Sequence, residues 1–135
     1  MMDAAQFLAG LKRQQSKYRE LAGVSEEQTR VLGGGDMDAL MALVERKRGI
    51  MAEIEDLDKG LSVVKGRWAE LRGSIDRATT REVEATVEET KGILQKLIRL
   101  EDEARVALER RRDSPAGPFQ ELMMRKRARG AYGLW

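Results

Sequence analysis

The chain has 135 residues, of which 36% are charged and 41% are hydrophobic, and its formal net charge is +2. It contains no cysteine and no histidine, which excludes disulfides, thiolate metal sites and the commonest general base of enzymes. This length is typical of one domain, and a highly charged composition with few aromatic residues favours long helices over a sheet.

A first helix is predicted over residues 3–32, where apolar side chains recur every three or four positions. These apolar positions are Phe7, Leu11, Tyr18, Leu21 and Leu32. Polar residues, namely Gln14, Ser25 and Gln28, occupy the remaining positions of this ladder. Three glycines, Gly33 to Gly35, predict the end of the helix because glycine is unfavourable inside a helix and accepts turn conformations. Asp36 follows as the expected N-cap of the next helix.

The central stretch, residues 36–75, carries the strongest pattern in the chain. Spacings of three and four residues alternate there over roughly five heptads, which is long enough to indicate coiled-coil packing. The resulting seam consists of Leu40, Leu43, Lys47, Ile50, Ile54, Leu57, Leu61, Val64, Trp68, Leu71 and Ile75. A single helix of this length would be roughly 50 Å long, and its narrow apolar stripe would need neighbouring helices to cover it.

Lys47 is the polar member of this seam, and two interpretations of it are open. A polar residue at a seam position can fix the register or the oligomeric state of a coiled coil. Alternatively, the aliphatic stem packs in the core while the ammonium group reaches water, which is the interpretation we favour. Gly49 and Gly60 lie nearly on one face, where they either permit close approach of another helix or, as we favour, are simply tolerated.

A third helix is predicted over about residues 80–112, because Thr79 and Glu82 have the spacing of a capping box. It should end before residues 114–118, where two prolines and a glycine prevent continuation. Both connections are short, so consecutive helices are expected to run antiparallel. The predicted fold class is all-α: an antiparallel three-helix coiled-coil bundle, made of a long helical hairpin and an N-terminal helix. The expected domains are this bundle over residues 1–113 and a flexible partner-binding tail over residues 114–135.

The tail is rich in apolar side chains, which are Phe119, Leu122, Met123, Tyr132, Leu134 and Trp135. A short apolar segment behind a linker is typical of an adaptable recognition arm, because methionine and aromatic residues recur in interfaces. The alternative, equally favoured, is that the tail folds back as a fourth short helix. The basic residues Arg125, Lys126, Arg127 and Arg129 form too small a patch to favour nucleic-acid or membrane binding.

No catalytic site, metal site or cofactor is predicted. The carboxylates of residues 53–58 and 101–103 are interpreted as exposed helix faces, because a di-iron bundle needs histidines and a thin helical rod rarely encloses a dry cleft. No apolar run is long enough to cross a membrane, and the N-terminus lacks the basic start of a signal peptide. A cytoplasmic protein without enzymatic activity is therefore expected.

The order of these features resembles the FlgN family of flagellar type III export chaperones. The resemblance rests on an acidic helix start, a leucine-rich turn, a lysine inside the apolar ladder and a further apolar stretch. These positions are Asp36, Leu40, Leu43, Lys47, Ile50, Met51, Ile54 and Leu57. The three-helix layout, the chain length and the Tyr132–Gly133 pair also match, whereas Glu101 and Asp102 stand where the family often has asparagines.

The resemblance implies a chaperone that binds a terminal helical segment of a hook-filament junction protein before type III secretion and delivers it to the export apparatus. It also implies that the C-terminal region contacts this client. The candidate residues are Phe119, Leu122, Met123, Tyr132, Leu134 and Trp135. The alternative is a non-catalytic coiled-coil scaffold or stalk protein that self-associates, and a nucleic-acid accessory factor is a third interpretation.

Overall fold

The computed structural model describes residues 2–109, and these residues are almost entirely helical. The helices are α1 (Ala4–Gly34), α2 (Met37–Gly66), α3 (Trp68–Leu71) and α4 (Arg77–Glu109), with a 3-10 turn at Arg72–Ser74 between the last two. Residues 2–109 contain no strand, which confirms the predicted all-α class.

The start of α1 is held by a capping box that the sequence analysis did not identify. The Asp3 carboxylate accepts a hydrogen bond from the Gln6 backbone N–H at 2.8 Å, and the Gln6 side chain accepts one from the Asp3 N–H at 2.9 Å. The helix ends two residues later than predicted. Gly35 has a φ of 74°, a left-handed conformation that glycine adopts without strain.

Helix α2 begins where the sequence predicted. The Asp36 carboxylate accepts a hydrogen bond from the Ala39 backbone N–H at 3.0 Å, which confirms Asp36 as the N-cap. The prediction of one continuous helix through Ile75 is wrong, because α2 ends at Gly66 and Arg67 leaves helical geometry with φ −113° and ψ 11°. Glycine at position 66 weakens the helix where it ends.

The residues after this break still pack in the core, which explains why their spacing misled the prediction. Trp68 is buried, and Leu71 and Ile75 are half-buried against the same apolar cluster. The ring centroids of Trp68 and Phe7 are 5.6 Å apart, in a tilted arrangement that is favourable for aromatic pairs. The short α3 therefore maintains the seam without continuing the rod.

Helix α4 begins earlier than predicted, so the proposed capping box at Thr79 is wrong. Asp76 occupies the capping position instead, and its carboxylate accepts a hydrogen bond from the Thr79 backbone N–H at 2.9 Å. Hydrogen bonds from Thr79 lower the pKa of the Asp76 carboxyl, because they stabilise its charged form. Thr79 and Thr80 therefore lie inside the first turn, and Thr80 is buried.

Helix α1 packs along both α2 and α4, whereas α2 and α4 come close to each other at few positions. Contacts between α1 and α2 run in opposite chain order. Gln14 contacts Asp58, and further along α1 Gln28 contacts Lys47. These two helices are therefore antiparallel to each other.

Contacts between α1 and α4 run in the same chain order. Lys12 contacts Glu82, Gln15 contacts Thr90, and Ser25 contacts Glu101. The helix that packs against both of the other long helices is thus α1. It is not the helix of the central stretch, which carries the strongest sequence pattern. The polar positions of α1 are part of this shared interface, since Gln14, Ser25 and Gln28 are all buried.

Within residues 2–109, buried apolar side chains form three clusters along α1. The first cluster contains Phe7, Leu11, Leu61, Val64, Trp68, Val83 and Val87. The second contains Tyr18, Leu21, Ala22, Val24, Ile50, Met51, Ile54, Leu94 and Leu97. The third contains Leu32, Leu40 and Ala104. Among residues 2–109, the third cluster has the fewest buried members, and it lies at the end where α1 finishes and α2 starts.

The glycine that permits close helix approach is one that the sequence analysis did not single out. A Cβ atom at Gly10 would lie 2.6 Å from Leu61 Cδ2, so α1 and α2 approach closely there. Side chains at Gly49 and Gly60 would meet no atom within 4 Å. These two glycines are therefore tolerated on an open face, as favoured above.

Candidate partner-binding site

The residues predicted to contact a client lie outside the residues that the structure describes. They are Phe119, Leu122, Met123, Tyr132, Leu134 and Trp135. Residues 2–109 nevertheless contain two features that bear on partner binding. One is a pair of polar layers that hold α1, α2 and α4 in one register, and the other is an exposed apolar face on α2.

The central polar layer consists of Ser25, Gln28, Lys47 and Glu101, and it separates the second apolar cluster from the third. The Lys47 ammonium lies 2.5 Å from Glu101 Oε1 and donates a hydrogen bond to Gln28 Oε1 at 2.7 Å. The Ser25 hydroxyl donates to the same Glu101 oxygen at 2.8 Å. All four side chains are buried, so this layer joins the three long helices through charges that water scarcely reaches.

This geometry corrects two sequence-based interpretations. The Lys47 ammonium does not reach water, because it points into the core and its side chain is 5% exposed. Glu101 was interpreted as part of an exposed face, but its side chain is 7% exposed. Burial lowers the pKa of Lys47, and the neighbouring Glu101 charge opposes that effect. Glu53, Glu55 and Asp56 are exposed, as predicted, whereas Asp58 and Asp102 of the same predicted faces are half-buried.

The outer polar layer consists of Gln14, Asp58 and Lys65, and it lies between the first and second clusters. The Lys65 ammonium is 2.6 Å from Asp58 Oδ1, and the Gln14 amide donates to the same oxygen at 3.2 Å. On the α4 side, Gln15 Nε2 donates to Thr90 Oγ1 at 3.2 Å. The Asp58 side chain is 41% exposed, so this layer borders solvent.

Exposed ion pairs flank the two layers and add little free energy individually. Lys17 lies 2.6 Å from Glu53 of α2, and Lys96 of α4 lies 2.6 Å from Glu26. The Glu53 carboxylate raises the pKa of Lys17, and the Lys96 ammonium lowers the pKa of Glu26. Both pairs involve α1, which again places this helix between its neighbours.

An exposed apolar face lies at the start of α2, and we call Met37, Met41 and Val44 the α2 methionine face. The spacing of these residues puts them on one side of the helix. Met37 is 44% exposed and Met41 is 55% exposed, whereas Val44 is half-buried. Exposed adaptable side chains of this kind are typical of surfaces that bind helical partners. Val106 of α4 is a further exposed apolar residue toward this end.

Among residues 2–109, no group of acidic side chains is placed to hold a metal ion. Within the same residues, no helix is long and apolar enough to traverse a bilayer.

The family model described as FlgN protein matches residues 1–113 of the chain. The chain belongs to the FlgN family. Comparison with curated proteins gave no match, and neither did comparison with solved structures. The resemblance inferred from the central segment is thus confirmed at the level of the family. In this FlgN-family chain, Lys47 and Glu101 meet across two of the long helices.

Sequence reasoning did not single out Met37 and Met41, whose side chains are exposed. They lie off the heptad seam, so the pattern that located the core gave no reason to select them. The one feature of the sequence that could have identified them is the spacing of two methionines, one helical turn apart, on a face away from the seam. The partners of Lys47 were missed for a different reason, because Gln28 and Glu101 are distant in sequence and only folding brings them together.

Proposed function

We propose that this chain is a cytoplasmic flagellar export chaperone that binds a helical segment of a hook-filament junction protein before type III secretion. The observation that carries the proposal is membership of the FlgN family over residues 1–113. The helical fold of residues 2–109 is consistent with it. Binding is non-catalytic, and its product is a complex that keeps the client unassembled until the export apparatus receives it.

The proposed mechanism is burial of the apolar face of an amphipathic client helix. The antiparallel three-helix coiled coil over residues 1–113 provides a rigid platform, because its two polar layers hold the helices in register. The tail over residues 114–135 provides adaptable apolar contacts. The client-binding residues are proposed to be Phe119, Leu122, Met123, Tyr132, Leu134 and Trp135.

The test measures affinity for the hook-filament junction proteins of the same organism by isothermal titration calorimetry. Replacing Phe119, Leu122 and Met123 by serine in the full chain should weaken binding by at least about tenfold, because lost anchor residues typically cost more than 1 kcal/mol each. The matched control replaces Arg125 and Lys126 by glutamine, and should weaken binding by less than about threefold if apolar burial dominates.

Three results would count against the proposal. The first is the absence of a complex between the wild-type chain and any junction protein. The second is equal loss of affinity in the serine and glutamine variants, which would assign binding to charge. The third is concentration-dependent self-association in sedimentation measurements without client binding, which would favour a coiled-coil scaffold.

A further inference from the structure

The core-facing residues of α4 repeat with a period of seven, so their pattern fits more than one alignment along α1 and α2. The first line of this repeat is buried or half-buried and consists of Thr80, Val87, Leu94, Glu101 and Leu108. The second line is buried throughout and consists of Val83, Thr90, Leu97 and Ala104. A slide of α4 by one heptad, which is about 10.5 Å, moves each residue onto the place of another member of its line. Apolar periodicity alone therefore does not select one alignment of α4.

Glu101 is the one charged residue in these two lines, and its position opposite Lys47 breaks the repeat. The Lys47 ammonium lies 2.5 Å from Glu101 Oε1, and both side chains are buried. A slide in either direction would put a leucine opposite Lys47, because Leu94 and Leu108 flank Glu101 in its line. Lys47 would then be a buried charge without its partner, which is strongly unfavourable.

Exposed ion pairs between α1 and α4 select the alignment less strongly. Lys12 and Glu82 lie 3.5 Å apart, with side chains that are 57% and 60% exposed. The Lys96 and Glu26 side chains are 51% and 47% exposed. Because water solvates such charges well, their pairing contributes little to the choice between alignments.

We infer that the Lys47–Glu101 pair selects the alignment of α4 on α1 and α2 from alternatives that are one heptad apart. Ser25 donates a hydrogen bond to Glu101, and Gln28 accepts one from Lys47, so the same contact aligns all three long helices. The choice also determines the surface that the bundle presents to a partner, because a slide would move the exposed residues of α4 past those of α2. This inference concerns the fold and does not depend on the proposed function.

The test exchanges the residues at positions 94 and 101 in the full-length chain, as Leu94→Glu with Glu101→Leu. The exchange leaves the composition unchanged and moves the carboxylate by one heptad. Since the chain has no cysteine, spin labels on introduced cysteines can report the alignment by pulsed electron paramagnetic resonance. The reporter pair is Ala9→Cys in α1 with Gln95→Cys in α4, and the control pair is Ala9→Cys with Ala52→Cys in α2. All three labelled positions are exposed.

We expect the exchange variant to slide α4 until the relocated carboxylate again faces Lys47. Residue 95 would then move away from residue 9, because α1 and α4 run in the same direction, and the distance of the reporter pair should lengthen by roughly 10 Å. The distance of the control pair should stay unchanged, since α1 and α2 keep their alignment. An exchange variant that folds and keeps the wild-type reporter distance would overturn the inference.

A second variant decides the question if the exchange variant does not fold. Lys47→Met with Glu101→Leu removes both charges and leaves the apolar repeat without a selecting contact. We expect its reporter pair to show at least two distances that differ by roughly 10 Å, with about a tenth or more of the molecules in the slid alignment. The wild-type chain should show one distance. A single wild-type distance in this double variant would equally overturn the inference.

Discussion

The two polar layers contain the same kinds of side chain but differ in their access to water. Each combines one lysine, one carboxylate and one glutamine. In the central layer, the Lys47 and Glu101 side chains are 5% and 7% exposed. In the outer layer, the Lys65 and Asp58 side chains are 11% and 41% exposed. Burial, rather than the identity of the partners, therefore sets what each layer contributes to stability.

The physical difference lies in what remains when one partner is lost. A buried ion pair offsets the desolvation of both ions, so removing one leaves an uncompensated charge in the core. A pair that borders solvent gains little Coulomb energy, and water can solvate the remaining partner. The central layer should therefore be sensitive to single substitutions, and the outer layer should tolerate them.

The largest effect is expected from Lys47→Met. This substitution removes the buried ammonium and leaves Glu101 in the core, which should lower the free energy of unfolding by about 3–5 kcal/mol. Urea denaturation followed by circular dichroism measures it. The control is Lys59→Met, at an exposed position of the same helix, where the change should stay within about 0.5 kcal/mol. If both variants lost a similarly small amount of unfolding free energy, the central layer would not be the sensitive one.

The second prediction concerns the double variant Lys47→Met with Glu101→Leu. Replacing both charges by apolar side chains removes the desolvation cost, so the double variant should recover stability to at least the wild-type level, with a gain of up to about 4 kcal/mol. Urea denaturation is again the measurement, with a check by sedimentation that the association state is unchanged. A double variant that stays less stable than the wild type would show that the pair stabilises the fold outright.

The third prediction is a pH dependence carried by Lys47. Burial lowers the pKa of this lysine in the folded state. Between that value and the unfolded pKa, the unfolded chain binds a proton that the folded chain has released, so stability rises with pH. The stability difference between wild type and Lys47→Met should therefore increase as pH rises toward about 10. A difference that is constant or decreases over this alkaline range would exclude a lowered pKa.

The smallest effect is expected from Lys65→Met in the outer layer. Because Asp58 stays in contact with water, the loss should be about 0.2–1 kcal/mol. This loss should shrink further in high salt, since salt screens exposed charges more than buried ones. Urea denaturation at low and high sodium chloride measures both effects. A loss as large as that of Lys47→Met would remove the distinction between the layers.

Much of the helical architecture could be predicted from sequence. Local chemistry identified Asp36 as a cap and the glycines before it as a break, because such signals act within a few residues. The break at Arg67 escaped prediction, since Trp68, Leu71 and Ile75 keep heptad spacing although the helix ends at Gly66. Apolar spacing reports which residues are buried and does not require that the backbone between them stays helical.

The candidate site was less predictable, for two physical reasons. The burial of Lys47 and Glu101 depends on a contact between residues that are 54 positions apart, and periodicity within one helix does not contain such pairings. Met37 and Met41 lie off the seam. At such positions, one sequence alone does not distinguish a surface that binds a partner from an ordinary exposed surface. The predicted tail residues, such as Phe119 and Trp135, lie beyond residues 2–109, so their roles stay predictions.

The separation of Lys47 and Glu101 along the chain has a consequence for synthesis on the ribosome. At about 5–20 residues per second, roughly 3–11 s pass between incorporation of the lysine and of its carboxylate partner. During that interval α1 and α2 can already pair, and Gln28 is available to the ammonium, but the place of Glu101 is still open to water. The hairpin of the nascent chain therefore keeps a hydrated charge in its future interior, which disfavours premature collapse until α4 has been made.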